Sequence, residues 1–190
     1  MKQWLTLCAC GAALLFLAGW RPVSKEPEGL ALVRVLGVDG RGPVALTAVC
    51  GGDDQEEQED PCRGQCLGAD FEGALEVLPW SGERELALTS VSYIIVGRDV
   101  ALREVLTAVL RNEELGASAT VWLAEDGAAV LLGRCGDPAG RLDLLTRRGE
   151  EAPTVVEALA KLERGESLAL PLLAGDGPAL IDWEEWRGAA

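Results

Sequence analysis

From Glu85 to Glu125 the chain reads ELALTSVSYIIVGRDVALREVLTAVLRNEELGASATVWLAE. The apolar positions change period twice along it. Leu86 to Val96 is nearly continuous in β-branched and apolar residues and stops at Gly97, which predicts a mostly buried strand. Asp99 is placed to cap a following helix, since a carboxylate accepts from the first unpaired backbone N–H groups. Leu102, Val105, Leu106, Val109 and Leu110 then recur at three- and four-residue spacing, while Arg103, Thr107 and Arg111 share the opposite face. Gly116 ends this helix, and Ala117 to Ala124 is the next strand. If the two strands are parallel neighbours, the crossover is right-handed. This unit is expected to bury the largest apolar surface of the chain.

Upstream, Leu30 to Val38 (LALVRVLGV) and Val44 to Cys50 (VALTAVC) read as two strands. Asp39-Gly40 and Arg41-Gly42 supply hairpin chemistry between them, so they are expected to pair antiparallel. Asp70 opens a short helix with Phe71, Ala74, Leu75 and Leu78 inward, and Pro79 stops it. Downstream, Asp126-Gly127 turns the chain. Ala128 to Arg134 (AAVLLGR) fits either a strand or a helix. Asp137-Pro138, Leu142, Leu144, Leu145 and Gly149 give cap, first-turn proline, apolar face and stop. Thr154 with Glu157 is a capping box. It opens a helix with Val155, Ala158, Leu159 and Leu162 inward, ended by Gly165. Ser167 to Leu172 is a short strand. Asp176-Gly177-Pro178 turns into the closing ALIDWEEWRGAA. The pattern predicts an α+β fold: a mixed or antiparallel sheet with helices packed against it.

Met1 to Trp20 has a different character, with Lys2 followed by an uncharged apolar run. This order is that of an export signal or membrane anchor. A helix from Trp4 to Trp20 would be about 26 Å long, slightly short of a ~30 Å hydrocarbon core. Retention as an uncleaved anchor is expected. The chain therefore divides into a signal or membrane-anchor segment (1–20), a polar, Pro-containing spacer (21–29) and an extracytoplasmic domain (30–190).

Charge removes some function classes. Acids number 31 against 17 bases, a net charge of −14, and Lys2 is the one charged residue within 1–20. Such a surface repels nucleic-acid backbones and anionic lipid headgroups, so no nucleic-acid partner is expected. Without histidine, Ser-His and Cys-His nucleophile pairs and the commonest zinc ligand are excluded. Neither a G-x-S-x-G elbow nor a Walker loop occurs, and Gly51-Gly52 is no dinucleotide fingerprint. No catalytic residue, cofactor or metal site is assigned. The acids Asp53, Asp54, Glu56, Glu57, Glu59 and Asp60, within the low-complexity run Gly51 to Gly68, lack the spacing of a calcium loop and read as a solvated face. Trp183 and Trp186 flank Glu184 and Glu185, loosely like a sugar-binding pair. Partial burial is the expectation for them and for Trp80.

Cys8 and Cys10 are packing residues of the apolar segment. Cys50, Cys62, Cys66 and Cys135 are candidates for disulfides outside the cytoplasm, with zinc ligation and plain thiols as the alternatives. Four cysteines allow three pairings; a Cys62–Cys66 bridge would close a small loop, and Cys50–Cys135 would tie the hairpin to the later region.

The order of these features resembles the N-terminal domain of Ger(x)C-family spore germination lipoproteins, the C-type subunits of nutrient germinant receptors. The resemblance rests on Leu17-Ala18-Gly19-Trp20, Ala31 to Asp39, Phe71 to Leu78, Thr89 to Gly97, Val105 to Val121 and Pro153 to Pro171. Trp20 stands where the family carries its lipidated cysteine, so no lipidation site falls at that position. The resemblance implies a non-enzymatic subunit that relays a nutrient signal during spore germination. It implies location at the outer face of the spore inner membrane, with A- and B-type receptor subunits as partners. The alternative is a generic membrane-anchored extracytoplasmic binding or structural module. An envelope hydrolase would instead need a cleft with two acids of raised pKa.

Overall fold

The computed structural model describes residues 30–51, 62–80, 84–175 and 178–186. The anchor expected at 1–20, the spacer at 21–29 and the acidic run at 53–60 lie outside these residues, as do the turn residues 176–177 and the last four residues. The strands are β1 (Leu30–Asp39), β2 (Val44–Cys50), β3 (Arg63–Gly68), β4 (Glu85–Ala87), β5 (Tyr93–Val96), β6 (Thr120–Ala124), β7 (Leu168–Ala174) and β8 (Ala179–Trp186). The helices are α1 (Phe71–Val77), α2 (Leu102–Arg111), α3 (Ala128–Arg134), α4 (Pro138–Arg147) and α5 (Val155–Glu163).

The described strands form one mixed sheet in the order β3-β2-β1-β5-β6-β7-β8, with β4 beside the start of β1. Its centre is parallel: β1 pairs with β5, β5 with β6, and β6 with β7. Antiparallel strands flank it, β2 and β3 on one side and β8 on the other. The fold is α+β with a mixed sheet, and the purely antiparallel option is overturned. Tyr93-Ile94-Ile95-Val96 explains why, since all four side chains are buried. A strand covered on both faces carries an unbroken apolar run, the usual signature of parallel pairing.

Two cores sandwich the sheet. Ile94, Val96, Val121 and Leu123 face the larger one, filled by α1, α2 and α5. Tyr93, Ile95, Trp122 and Ala124 face the smaller one, filled by α3 and α4. None of the described helices is long and apolar enough to cross a membrane.

The caps explain most helix starts. Asp70 Oδ1 accepts from Gly73 N at 2.8 Å and Asp137 Oδ1 from Gly140 N at 2.9 Å. Both halves of the Thr154–Glu157 capping box are formed. Asp99 differs from expectation. The helix begins two residues later than that cap requires, with Ala101 at the N-cap and no side-chain bond. The Asp99 carboxylate instead accepts from Gly40 N at 3.4 Å across the sheet edge.

The expected strand Leu86–Val96 is broken. β4 pairs with Leu30–Leu32 and β5 with Val35–Val38, and a 3-10 turn at Leu88–Ser90 joins them. β1 carries an irregularity between Val33 and Val35, so its two halves present different registers and the strand beside it must break too. Ala128–Arg134 is a helix. β3 was not expected at all, and β8 gives the closing segment a regular structure.

β6 has two neighbours on one side. Its amino half is bonded to the segment before α5, through Val121 N to Pro153 O and Val155 N to Ala119 O, both at 2.9 Å. Only Leu123 and Ala124 pair with β7, opposite Leu172 and Leu173.

Candidate functional site

In open sheets with parallel strands, ligand sites gather where the strands end at their carboxyl side. Here that edge holds Asp39 at the end of β1, Gly97 to Asp99 after β5 and Glu125 to Gly127 after β6. A helix N-terminus at such an edge attracts anions, because its first N–H groups are unpaired and the dipole is positive there. The start of α3 occupies that position, and the chain's own carboxylate fills it. Asp39 Oδ1 accepts from Ala128 N at 2.8 Å and Oδ2 from Ala129 N at 2.7 Å. Glycine makes room for this. A Cβ at Gly127 would lie 3.2 Å from Asp39 Oδ1, and one at Gly97 would collide with the same oxygen. Gly127 also has φ +99°, which side chains rarely adopt.

The other end of α3 is held by opposite charge. Arg63 of β3 donates through Nη1 to Gly133 O at 3.2 Å and through Nη2 to Cys135 O at 2.7 Å. The seven-residue helix thus has an anion at its positive end and a cation at its negative end.

Beside this edge, a cleft of about 340 Å³ opens between α1, α2 and the β1–β2 turn. Phe71, Val105 and Ala108 supply apolar wall, and Arg41, Arg103 and Arg111 line it as well. The arginines are already engaged. Arg41 Nε donates to Asp99 O at 3.2 Å, Arg103 Nη2 to Leu162 O at 2.7 Å, and Arg111 lies 4.0 Å from Glu72. Exposed pairs of this kind contribute at most about 1 kcal/mol each. Arg103 also acts on the last turn of α5, since Leu162 is one of its final residues.

The aromatic pair does not form a stacking platform. Trp183 and Trp186 are three residues apart on β8, so they point to opposite faces. Trp186 packs against the larger core, while Trp183 is 42% exposed. Glu184 between them pairs with Arg98 at 2.7 Å. Trp80, expected to be partly buried, is 71% exposed.

A polar group that the sequence did not reveal sits on the smaller-core face. Tyr93 OH donates to Asp143 Oδ1 of α4, and Arg34 of β1 lies 3.6 Å from the same oxygen. Burial, then the hydrogen bond to Asp143, pushes the Tyr93 phenol up to about 12. An unfolded tyrosine ionises near pH 10. The folded state therefore holds a proton that the unfolded state has released between about pH 10 and 12. The stability Tyr93 contributes is complete below about pH 10 and is lost as pH rises through about 12. Urea midpoints across that range are expected to fall in the parent and to fall less in Tyr93→Phe. Equal slopes in the two proteins would contradict the assignment. The Cys50, Cys66 and Cys135 thiols, also raised by burial, add a loss of the same sign in both.

Two exposed carboxylates on and just after α5 are shifted downward. Glu157 is lowered by the Thr154 backbone and hydroxyl, and Glu166 by the Arg164 guanidinium. A general acid needs the opposite direction. Among the described residues, no three Cys, Asp or Glu side chains converge to hold a metal ion.

Among the described residues, no disulfide joins Cys50, Cys62, Cys66 or Cys135. Of the three possible pairings, the one joining Cys62 to Cys66 and Cys50 to Cys135 does not fit the strands. Cys62 and Cys66 lie along one extended segment, about 13 Å apart at ~3.3 Å per residue, whereas a disulfide spans at most ~7 Å between Cα atoms. Cys50 faces the larger core, whereas Cys135 ends α3 on the opposite side of the sheet.

The fold and this edge define a three-layer module with a mixed sheet and an internally capped carboxyl edge. The chain matches no protein-family model, no curated protein and no solved structure.

Proposed function

We propose that this chain is a non-enzymatic, membrane-anchored extracytoplasmic module of a spore germinant receptor. It would relay a nutrient signal by contact with A- and B-type subunits at the spore inner membrane. The reading rests on the Ger(x)C resemblance, whose stretches fall in one core. The resembling stretches at 31–39, 71–78, 89–97, 105–121 and 153–171 correspond to β1, α1, β5, the end of α2 with β6, and α5 with the start of β7. Every one of them contributes side chains to the same larger core. The surfaces offered for contact are the two sheet edges. Ile181 and Trp183 stand exposed on β8, and Leu67 on β3.

The test is co-purification. Tagged chain extracted from spore membranes is expected to bring down receptor A- and B-type subunits in fixed ratio. A clean preparation that lacks both would remove the germination assignment and leave the generic anchored module.

A further inference from the structure

We infer that Cys50 and Cys62 are a disulfide site, closed by exchange with an external disulfide and joining β2 to β3. The two residues face each other. Val49 is registered against Arg63, and Cys50 N donates to Cys62 O at 3.0 Å, which carries the antiparallel register one residue further. Directly opposed residues in a hydrogen-bonded antiparallel pair have Cα atoms about 5.5 Å apart, inside the ~4.4–6.8 Å range of disulfides. Both side chains lie on the larger-core face.

The other combinations fail on geometry. Cys66 is opposite Leu46, four residues along β2 from Cys50, and its Sγ donates to Ala74 O at 3.1 Å. Cys135 follows α3 on the other side of the sheet. The bond would close the chain around residues 51–61, which carry six carboxylates in eight positions from Asp53 to Asp60. A cross-link at the base of that segment stabilises the fold by restricting the unfolded chain.

The chemistry balances with a small-molecule disulfide such as oxidised glutathione. Cys62, the more exposed of the two residues, attacks as thiolate and expels one glutathione thiolate, leaving a mixed disulfide. The Cys50 thiolate then attacks the Cys62 sulfur and expels the second. Each cysteine sulfur loses one electron, each glutathione sulfur gains one, and the two cysteine protons end on the released thiols. Burial together with the neighbouring Cys62 raises the Cys50 thiol, which makes Cys50 the poorer first attacker and leaves that step to Cys62.

The purified chain is treated with oxidised glutathione or with a phosphine reductant, digested without reduction and analysed by mass spectrometry. The expected product is a peptide pair joined at Cys50 and Cys62, two hydrogens lighter than the thiol forms. The expected Tm of the oxidised protein is higher by roughly 5 °C. Cys62→Ser, at a half-exposed position, abolishes that rise, and Cys66→Ser keeps it. A linkage at any other pair, glutathione adducts without a linked pair, or a Tm that oxidation leaves unchanged or lowers would each overturn the inference.

Discussion

Trp122→Ala is expected to lower the unfolding free energy by about 4 kcal/mol. Trp122 is the largest fully buried side chain among the described residues. It stands in the parallel centre of the sheet, registered against Ile95, and fills the smaller core with Leu131, Leu132 and Leu142. Truncation removes the transfer energy of the indole and leaves a cavity that β6, held by β5, cannot close. The indole N–H donates to Thr120 Oγ1 at 2.9 Å, so the replacement also frees a hydroxyl next to the core. Trp122→Phe keeps most of the volume and is expected to cost about half as much. Urea denaturation gives both values, with the midpoint moving at constant slope. A loss below about 1 kcal/mol for alanine would mean that α3 and α4 collapse into the space, and that the smaller core is softer than its packing implies.

Asp39→Ala is expected to cost about 3 kcal/mol, more than an ordinary helix cap, because it removes two charge-assisted bonds from the partly buried start of α3. The acceptor comes from β1, some ninety residues away, so the bonds hold a helix to a sheet rather than a helix to itself. A seven-residue helix has little stability of its own. Asp39→Asn keeps one acceptor oxygen and is expected to fall near the midpoint. Amide exchange at Ala128 and Ala129 reports the same loss locally, faster in both variants. An alanine variant whose urea midpoint equals the parent's, with those amides still protected, would show that α3 is held by Leu131 and Leu132 alone.

Local chemistry was legible where it acts within a turn or two. Asp70, Asp137 and the Thr154–Glu157 pair announce three helices, and Asp39-Gly40 announces the β1–β2 turn. What escaped is set by partners far along the chain. β3 has the sequence RGQCLG, with no apolar alternation, and is a strand because β2 offers it an edge. The run 86–96 looks continuous and breaks because β1 changes register beside it. Ala128–Arg134 is too short for its period to separate helix from strand. The site was hidden for the same reason. Asp39 reads as a turn residue, and nothing near it in sequence shows that its carboxylate serves Ala128. Tyr93, Asp143 and Arg34 carry no mutual signal until the sheet and α4 bring them together. Cysteine spacing left the pairing open because i, i+4 suits a helix or a loop, whereas Cys62 and Cys66 lie along an extended strand.

The sparse seam between β6 and β7 gives the molecule a grain. The slab from β3 to β6 is laced along its length, while the last hairpin is stitched to it at two rungs, Leu123–Leu172 and Ala124–Leu173. A push delivered to the outer border at Ile181 or Trp183 therefore reaches the slab through those rungs, the Glu125 N to Leu173 O bond beside them, α5 and the Arg98–Glu184 pair. That thinly stitched seam lies next to the border where Ile181 and Trp183 stand exposed.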